Sequence, residues 1–356
     1  MNFRVIFKNR DFTDRVVKPS MRLTVARFGF RAIGGPRRAT ITADGSVSNL
    51  WDTLEYLRCP VEIYDQYGRA TWWGYVNEVN IKTKTKSATL FCNGWWDMIA
   101  WRYYLKATSA TVETTTQIST AITGTCTAIA GVDIETASGI STVEKREGDR
   151  TALQEVEDLL KSGTINNKRL LAQVGINRRV RVIEEPTIGR LDGFISGDCE
   201  FGVSLDTMSN RVYAYYTTPG DPGRHNTATA DDTTSQTEYG MKSLNLSLQA
   251  ASATQANAYR DAALLRRKYP IPTIKLDGQT GVIKNNMGVE IQKYQCPVGS
   301  WLWVRDMISA TADTRRIADA SKIFVEEWEY DAGSGELMIS PRDVPGPYDL
   351  TNVGGA

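Results

Sequence analysis

VEIYDQYGRATWWGYVNEVNI, residues 61–81, decides how the rest of the chain is read. Two runs of β-branched and aromatic residues flank Gln66-Tyr67-Gly68-Arg69. Such side chains suit a pleated, half-buried surface, and a short polar break containing glycine reads as a hairpin turn. The second run, Ala70 to Ile81, is long and carries Trp72, Trp73, Tyr75, Val76 and Val79. Lys82-Thr83-Lys84-Thr85-Lys86 is a charged turn, Ala88 to Cys92 returns as a strand, and Asn93-Gly94 ends it. Trp95, Trp96, Met98, Ile99 and Trp101 follow, and are expected to pack in a core or an interface rather than to form a ligand box.

Toward the N-terminus, Asn2–Phe7 and Met21–Phe28 read as strands, with Met21, Leu23 and Val25 on one face because side chains alternate along a strand. Gly34-Gly35-Pro36 breaks the chain before a short strand, Ala39–Ala43. Ser48 is placed as the N-cap of a helix whose Leu50, Trp51, Leu54 and Leu57 fall at helical spacing, and Pro60 stops it. Residues 107–146 are rich in Thr, Ala, Ser and Gly. Thr114-x-x-Gln117 and Thr151-x-x-Gln154 have the form of capping boxes. The second leads a helix with Leu153, Val156, Leu159 and Leu160 on one face and Gly163 at its exit.

Leu170–Glu184 reads as a hairpin turning at Gly175-Ile176-Asn177. Arg211–Thr217 is a strand with Tyr213, Tyr215 and Tyr216, and residues 218–237 read as a long polar loop, a feature that usually carries function or motion. Lys242–Gln249 alternates Leu244, Leu246 and Leu248 against Ser243, Asn245 and Ser247. A third capping box, Ser252-x-x-Gln255, opens an Ala-rich helix with Ala256, Tyr259, Ala263 and Leu264. It closes on Arg266-Arg267-Lys268 before Pro270, where cations suit the negative end of the helix dipole. Val298–Arg305 and the pair Ile323–Tyr330 with Glu336–Ser340 complete the strands, and Pro341–Ala356 is a Pro/Gly-rich extended terminus.

At 356 residues, with 41% hydrophobic and 23% charged side chains, the chain has globular composition and room for two or three domains of roughly 100–200 residues each. Lys and Arg number 42 against 41 Asp and Glu, a net charge of +1. That balance argues against a nucleic-acid binder, which needs excess cations to displace counterions. The basic runs Arg37-Arg38 and Arg178-Arg179-Val180-Arg181 are taken as solvated strand ends and loops. Five scattered cysteines, Cys59, Cys92, Cys126, Cys199 and Cys296, form neither a C-x-x-C site nor an even disulfide framework, so free thiols in a reducing compartment are expected. The N-terminus lacks a signal-peptide core, and no run reaches the ~18–20 apolar residues a membrane span needs. The expectation is a soluble chain.

Catalytic chemistry is thinly represented. The sole histidine, His225, lies in the polar stretch, and no nucleophile elbow, phosphate loop or zinc helix motif occurs. The carboxylate clusters that could work as an acid–base pair are Glu184-Glu185, Asp198 with Glu200, and Glu326-Glu327-Glu329. Adjacent strand residues point to opposite faces, and carboxylates that share a face are ordinary on an exposed strand. Asp231-Asp232 lacks the spaced oxygens of a calcium loop. Asn245-Leu246-Ser247 has the form of a glycosylation acceptor, which matters only on a secretory route. No catalytic, cofactor or metal residue is assigned.

Three stretches in order resemble the tail-tip or baseplate hub proteins of tailed phages, and with them the spike hubs of type VI secretion. Residues 61–81 with 88–103 (ATLFCNGWWDMIAWRY) resemble the first tube-forming domain, with its "W-x-G-x-V" strand. Gln154–Arg181 is similar to the helix and hairpin that interrupt the tube domains, and EYGMKSLNLSLQ through KYPIP, residues 238–272, resembles the second. The departures are Met98 or Ile99 at the family's leucine, and the lack of a lysozyme or peptidase extension, so a bare hub is expected. The resemblance implies a β-rich α+β fold: a first tube-type β-domain at 1–105, an inserted α/β domain at 106–195, a second tube-type domain at 196–345 and a tail at 346–356. It further implies a non-enzymatic virion protein, assembled in the host bacterial cytoplasm, that forms a homotrimeric ring. The partners would be the tail tube, distal tail and tape measure proteins and a central fibre or spike, with DNA only passing through. The alternatives are a distal-tail adaptor, a receptor-binding tail protein or, less favoured, a tail-associated cell-wall hydrolase.

Overall fold

The structure, a computed structural model, describes residues 3–13, 21–45, 50–104, 111–143, 151–161, 163–165, 168–186, 191–196, 199–203, 205–218, 221–249, 253–268, 272–304 and 322–341. The first six strands are β1 (Arg4–Phe7), β2 (Arg22–Arg31), β3 (Gly35–Asp44), β4 (Pro60–Tyr64), β5 (Ala70–Lys82) and β6 (Ser87–Asn93). Next come β7 (Thr111–Glu113), helix α1 (Thr114–Thr125), β8 (Gly131–Ile134), β9 (Ser141–Val143), α2 (Ala152–Lys161), β10 (Leu170–Val174) and β11 (Arg179–Glu184). They are followed by β12 (Leu191–Ser196), β13 (Cys199–Val203), β14 (Arg211–Thr218), β15 (Asp221–Asn226), β16 (Ala230–Asp231), α3 (Thr233–Tyr239), β17 (Ser243–Gln249) and α4 (Ala253–Arg267). The last are β18 (Pro272–Leu276), β19 (Val282–Asn285), β20 (Glu290–Ile291), β21 (Trp301–Val304), β22 (Lys322–Asp331) and β23 (Leu337–Pro341).

Among the described residues, fourteen strands form one sheet that runs β1-β4-β5-β6-β3-β2-β22-β21-β12-β19-β20, with β23, β18 and β13 branching from β22. The chain is therefore β-rich, as its composition of strands implied. The 61–81 hairpin forms as read, with Pro60 facing Tyr75 and Tyr64 facing Ala70. β2 and β22 pair antiparallel from Arg27–Asp331 to Arg31–Glu327, which joins the two ends of the chain. Phe7, Ile41, Ile63, Trp72, Leu90, Ile195, Ile283, Val325 and Ile339 all belong to one buried cluster. Side chains from strands so far apart in the sheet meet only if the sheet curls around them.

A second core lies under the aromatic stretch. Trp95, Trp96, Met98 and Ile99 are buried against α1, α2 and the β10–β11 hairpin, whereas Trp101 is about half exposed. The hairpin turns where expected, with the Arg178 N–H donating to the Gly175 carbonyl, and β8 adds to it in parallel. The Thr151 box closes reciprocally: Thr151 N–H donates to Gln154 Oε1 at 2.9 Å, and Gln154 N–H to Thr151 Oγ1 at 3.3 Å. The Thr114 box does not close. The cap sits one residue earlier, where Glu113 accepts the Thr116 N–H, the Thr115 hydroxyl and the Ser138 N–H and hydroxyl. A carboxylate satisfies more orphan donors than one hydroxyl can. Burial pushes the Glu113 carboxyl up, but the hydrogen bonds from Thr115, Ser138 and Thr116 outweigh it and bring its pKa to about 2.

Two other readings are corrected. Leu50 and Trp51 are α-helical, but residues Asp52–Tyr56 form a 3₁₀ helix, not a continued α-helix. With three residues per turn, i and i+3 eclipse. Leu50, Thr53 and Tyr56 therefore share the buried face, while Trp51, Leu54 and Leu57 are turned outward at 54%, 40% and 37% exposure. Residues 218–237 are not a loop throughout, because β15, β16 and α3 occupy most of the stretch. β15 pairs with β14, and Asp232 caps α3 by accepting the Ser235 N–H at 2.9 Å. The segment lacks apolar periodicity, so its strand character comes from the partner strand alone. Ser48, Asp198, Ser252, Pro270 and the terminus beyond 341 lie outside the described residues.

Two glycines are fixed by contact. A Cβ at Gly74 would lie 2.1 Å from the Asn93 carbonyl oxygen, so the "W-x-G-x-V" glycine is where β5 passes hard against β6. Gly34, with φ +100, turns β2 into β3, and a Cβ there would lie 2.8 Å from the Trp96 ring. Gly74→Ala and Gly34→Ala are each expected to lower the unfolding free energy by about 2–3 kcal/mol, as overpacking and backbone strain do. Urea titration followed by tryptophan fluorescence reads both. Glu113→Gln should cost ~1–2 kcal/mol at pH 7, the worth of a cap. Because the folded pKa is depressed, that stabilisation is complete above the ordinary value of 4.5 and is lost as pH falls through about 2. The gap between wild type and variant should therefore close in titrations stepped from pH 7 toward pH 2.

Candidate functional site

Most of the described carboxylates in these clusters are engaged by neighbouring side chains. Glu184 takes Lys168 at 2.5 Å and the Thr164 hydroxyl at 3.1 Å. Glu326 takes Arg169, Glu327 takes Arg37 at 2.8 Å and Glu329 takes Arg27 at 3.3 Å. Glu200 faces Lys275 across β13 and β18. Asp231 binds Arg211 at 2.6 Å, and Asp232, the α3 cap, binds Lys268 at 3.2 Å. Lys268 thus points its ammonium at a neighbouring helix cap. His225 lies in β15 with its ring 5.3 Å from that of Tyr216. Among the described residues no group of three metal-ligating side chains forms, and Cys59, Cys92, Cys126 and Cys296 are buried free thiols. Burial pushes the Cys92 and Cys296 thiols far up, away from the reactive thiolate.

The basic run 178–181 is likewise committed. Arg179 Nε donates to Asp133 at 2.7 Å and Arg181 Nη2 to Glu135 at 2.7 Å, each as one arm of a two-pronged pair. The Arg178 guanidinium lies 3.4 Å from the Phe12 ring centre and donates to the Ala128 carbonyl. Hydrogen bonding to the guanidinium groups holds the Asp133 and Glu135 carboxyls below their ordinary range. This ladder forms one wall of a groove of about 540 Å³ between the two cores. The opposite wall is aromatic: Phe30 is stacked on Trp328 at 5.1 Å and meets Trp73 edge-on at 5.4 Å. No local pattern marks this groove, because its walls are assembled from β2, β5, β8, β10, β11 and β22.

The groove marks the seam where the β10–β11 hairpin docks on the large sheet. Gly34 N–H donates to the Ala172 carbonyl at 2.6 Å, and Trp73 Nε1 to the Val174 carbonyl at 2.9 Å. Gln173 reaches the Ala32 and Val298 carbonyls. The clamp is Arg169, only 8% exposed, whose guanidinium grips Glu326 through two bonds of 2.5 and 2.6 Å. The Glu326 carbonyl at the same time accepts the Ala32 N–H at 2.6 Å. One residue of β22 thus ties together the end of β2, the segment leading into β10 and the last strands. On the outside, Trp51, Leu54 and Leu57 form an exposed apolar stripe, and the Arg58 guanidinium lies 6.0 Å from exposed Trp101.

The fold is shared with a tail protein from Neisseria meningitidis MC58, at TM-score 0.59 and 11% identity over 98% of this chain and 99% of that one. A 43 kDa tail protein of prophage MuSo2 from Shewanella oneidensis matches at TM-score 0.59 and 10% identity, over 98% and 99%. Prophage tail protein gp18 from Listeria monocytogenes EGD-e matches at 0.56 and 10%, over 95% and 94%. No protein-family model matches the sequence, and no curated protein does. Likeness at this identity establishes a common fold.

Removing one partner from a buried, two-pronged pair leaves the other charge unsatisfied, at a cost of about 3–5 kcal/mol. Arg169→Met should cost that much and should expose the 168–185 hairpin to proteolysis ahead of the large sheet. Arg169→Met with Glu326→Leu should recover part of the loss. Urea titration with limited trypsin digestion checks both, and equal losses in the single and double variants would remove the clamp from the account.

Proposed function

We propose that this chain is a structural subunit of a phage tail, and that it closes as a trimer into a ring-shaped hub at the tail tip. The ring would join a hexameric tail tube to the distal tip proteins and surround the channel through which DNA passes. The observation that carries this reading is the fourteen-stranded sheet, in which strands from both ends of the chain meet along β2 and β22.

In this reading β1–β6 supply one ring segment. The strands of 191–203 and 272–341 supply the other, while 111–184 and 205–268 project from the ring with sheets of their own. Two segments per chain and three chains give six units, the number a sixfold tube requires, and closed symmetry suits a particle built around an axis. A formal charge of +1 supports a lumen through which phosphates slide without being held. Shared fold with three tail proteins, two of them from prophages, supports the tail placement.

Mass photometry of the purified protein should give three times the 39.6 kDa of one chain, and negative-stain images should show a ring with an axial hole. A protein that stays monomeric across micromolar concentrations and never joins tails would overturn the hub. Clearing of bacterial cell wall in a zymogram would favour the hydrolase instead.

A further inference from the structure

Phe12 stands at φ +70 and Arg178 at φ +61, in the left-handed region that bulky L residues rarely adopt. These two strained residues meet, with the Arg178 guanidinium 3.4 Å from the Phe12 ring centre. Phe12 comes from the turn after β1, and its ring also leans on Trp95 of the second core at 5.8 Å. Arg178 closes the turn of the β10–β11 hairpin. Beside it, Arg179 and Arg181 are held by the carboxylates of Asp133 and Glu135, whereas Arg178 meets a ring and the Ala128 carbonyl. Burial lowers the Arg178 pKa from its ordinary value, so the cation is partly stripped of water beneath the ring.

We propose that residues 9–13 form a strap that opens and closes on its own, covering the Arg178 guanidinium when shut and uncovering it when open. The device is independent of the ring assembly, and three features support it. First, the turn is stitched to itself and can swing as a unit. Asn9 N–H donates to the Thr13 carbonyl at 2.6 Å, Phe12 N–H to the Asn9 carbonyl at 2.7 Å and the Thr13 hydroxyl to Asp11 at 2.8 Å. Second, its holds on the rest of the protein are few. Among the described residues its outward polar tether is an exposed bond from Arg10 to the Leu57 carbonyl at 3.2 Å. The firm anchor before it is Lys8, whose N–H meets the Pro60 carbonyl at 2.9 Å and whose ammonium meets Glu62 at 2.8 Å. Third, opening releases the backbone strain at Phe12, which offsets part of the attraction between ring and cation. The shut state is therefore held by a narrow margin. The hairpin beneath is held otherwise, by its backbone pairing, by the Arg169–Glu326 clamp and by buried Val174, Val180 and Val182. Local openings of loosely held segments occur without unfolding what they rest on.

Phenylglyoxal, which modifies free guanidinium groups, is applied to the full-length protein, and labelling of each arginine is followed by peptide mass spectrometry. In the wild type, Arg178 labelling should not change with urea below the unfolding transition, because a local opening exposes little surface. Phe12→Ala should speed Arg178 labelling at least threefold, with Arg179, Arg181 and hydrogen exchange across 170–184 unchanged. Arg178→Gly keeps the turn geometry and removes the cation, and it should speed hydrogen exchange of the 9–13 amides at least threefold. That variant reads the same contact from the other side should Phe12→Ala melt early. Wild-type labelling that climbs with urea in step with unfolding would overturn the strap, since the ring would then leave only when the protein does. Changes smaller than threefold, or equal loosening of 170–184, would overturn it as well.

Discussion

The backbone pairing of β2 with β22 is the constraint on which the rest of the structure depends. Arg27 and Asp331 face each other across it, as do Arg31 and Glu327, although some three hundred residues separate them in sequence. Without this pairing the first six strands and the last eight would be two sheets, each with an open edge of unpaired N–H and C=O groups beside apolar surface. With it, side chains of β1, β5, β19 and β23 share one core. β22 serves three neighbours at once: its first residues pair with β21, its last with β2, and its other edge with β23. Closing so long a chain costs entropy only logarithmically in its length, so a seam of good pairs and a buried aromatic cluster offsets it. Phe28, Phe30, Trp328 and Tyr330 supply that cluster at the pairing itself.

The same seam explains where the polar groups went. A charge such as Arg169, nearly excluded from water, is tolerated because both of its prongs meet one carboxylate. The basic run 178–181 looks in sequence like a patch for an anion. In the fold it is a lattice of pairs to Asp133 and Glu135 with one ring contact, so its charge is consumed internally. Near-neutrality overall is thus repeated locally, and the carboxylates of β22 follow suit.

What could be read from sequence was whatever is decided within a few residues. The 61–81 hairpin, the turn at 175–177 and the pair across 331–335 rest on local alternation and turn chemistry, and they stand in the structure. The Thr151 box was legible for the same reason. The Trp51 segment was not, because leucines at i and i+3 suit both helix types, and only the tightness of the turn decides which face is buried. The cap at Glu113 escaped because two of its donors, from Ser138, arrive from twenty-five residues away. The groove and the clamp at Glu326 were beyond local reading altogether, since each is assembled from strands that only the long-range pairing brings together.

The segments 111–184 and 205–268 are held by different physics. That of 111–184 shares a core with the large sheet, since Tyr75, Trp95 and Trp96 pack with Ile118, Val156 and Val182. It cannot move without opening that core. The 205–268 segment instead centres on a fully buried Asn210. Its amide donates to the Gly240 carbonyl and Ser235 hydroxyl and accepts the Lys242 N–H, while the Ser235 hydroxyl donates to the Lys268 carbonyl. A satisfied polar network of this kind specifies the structure of the segment sharply.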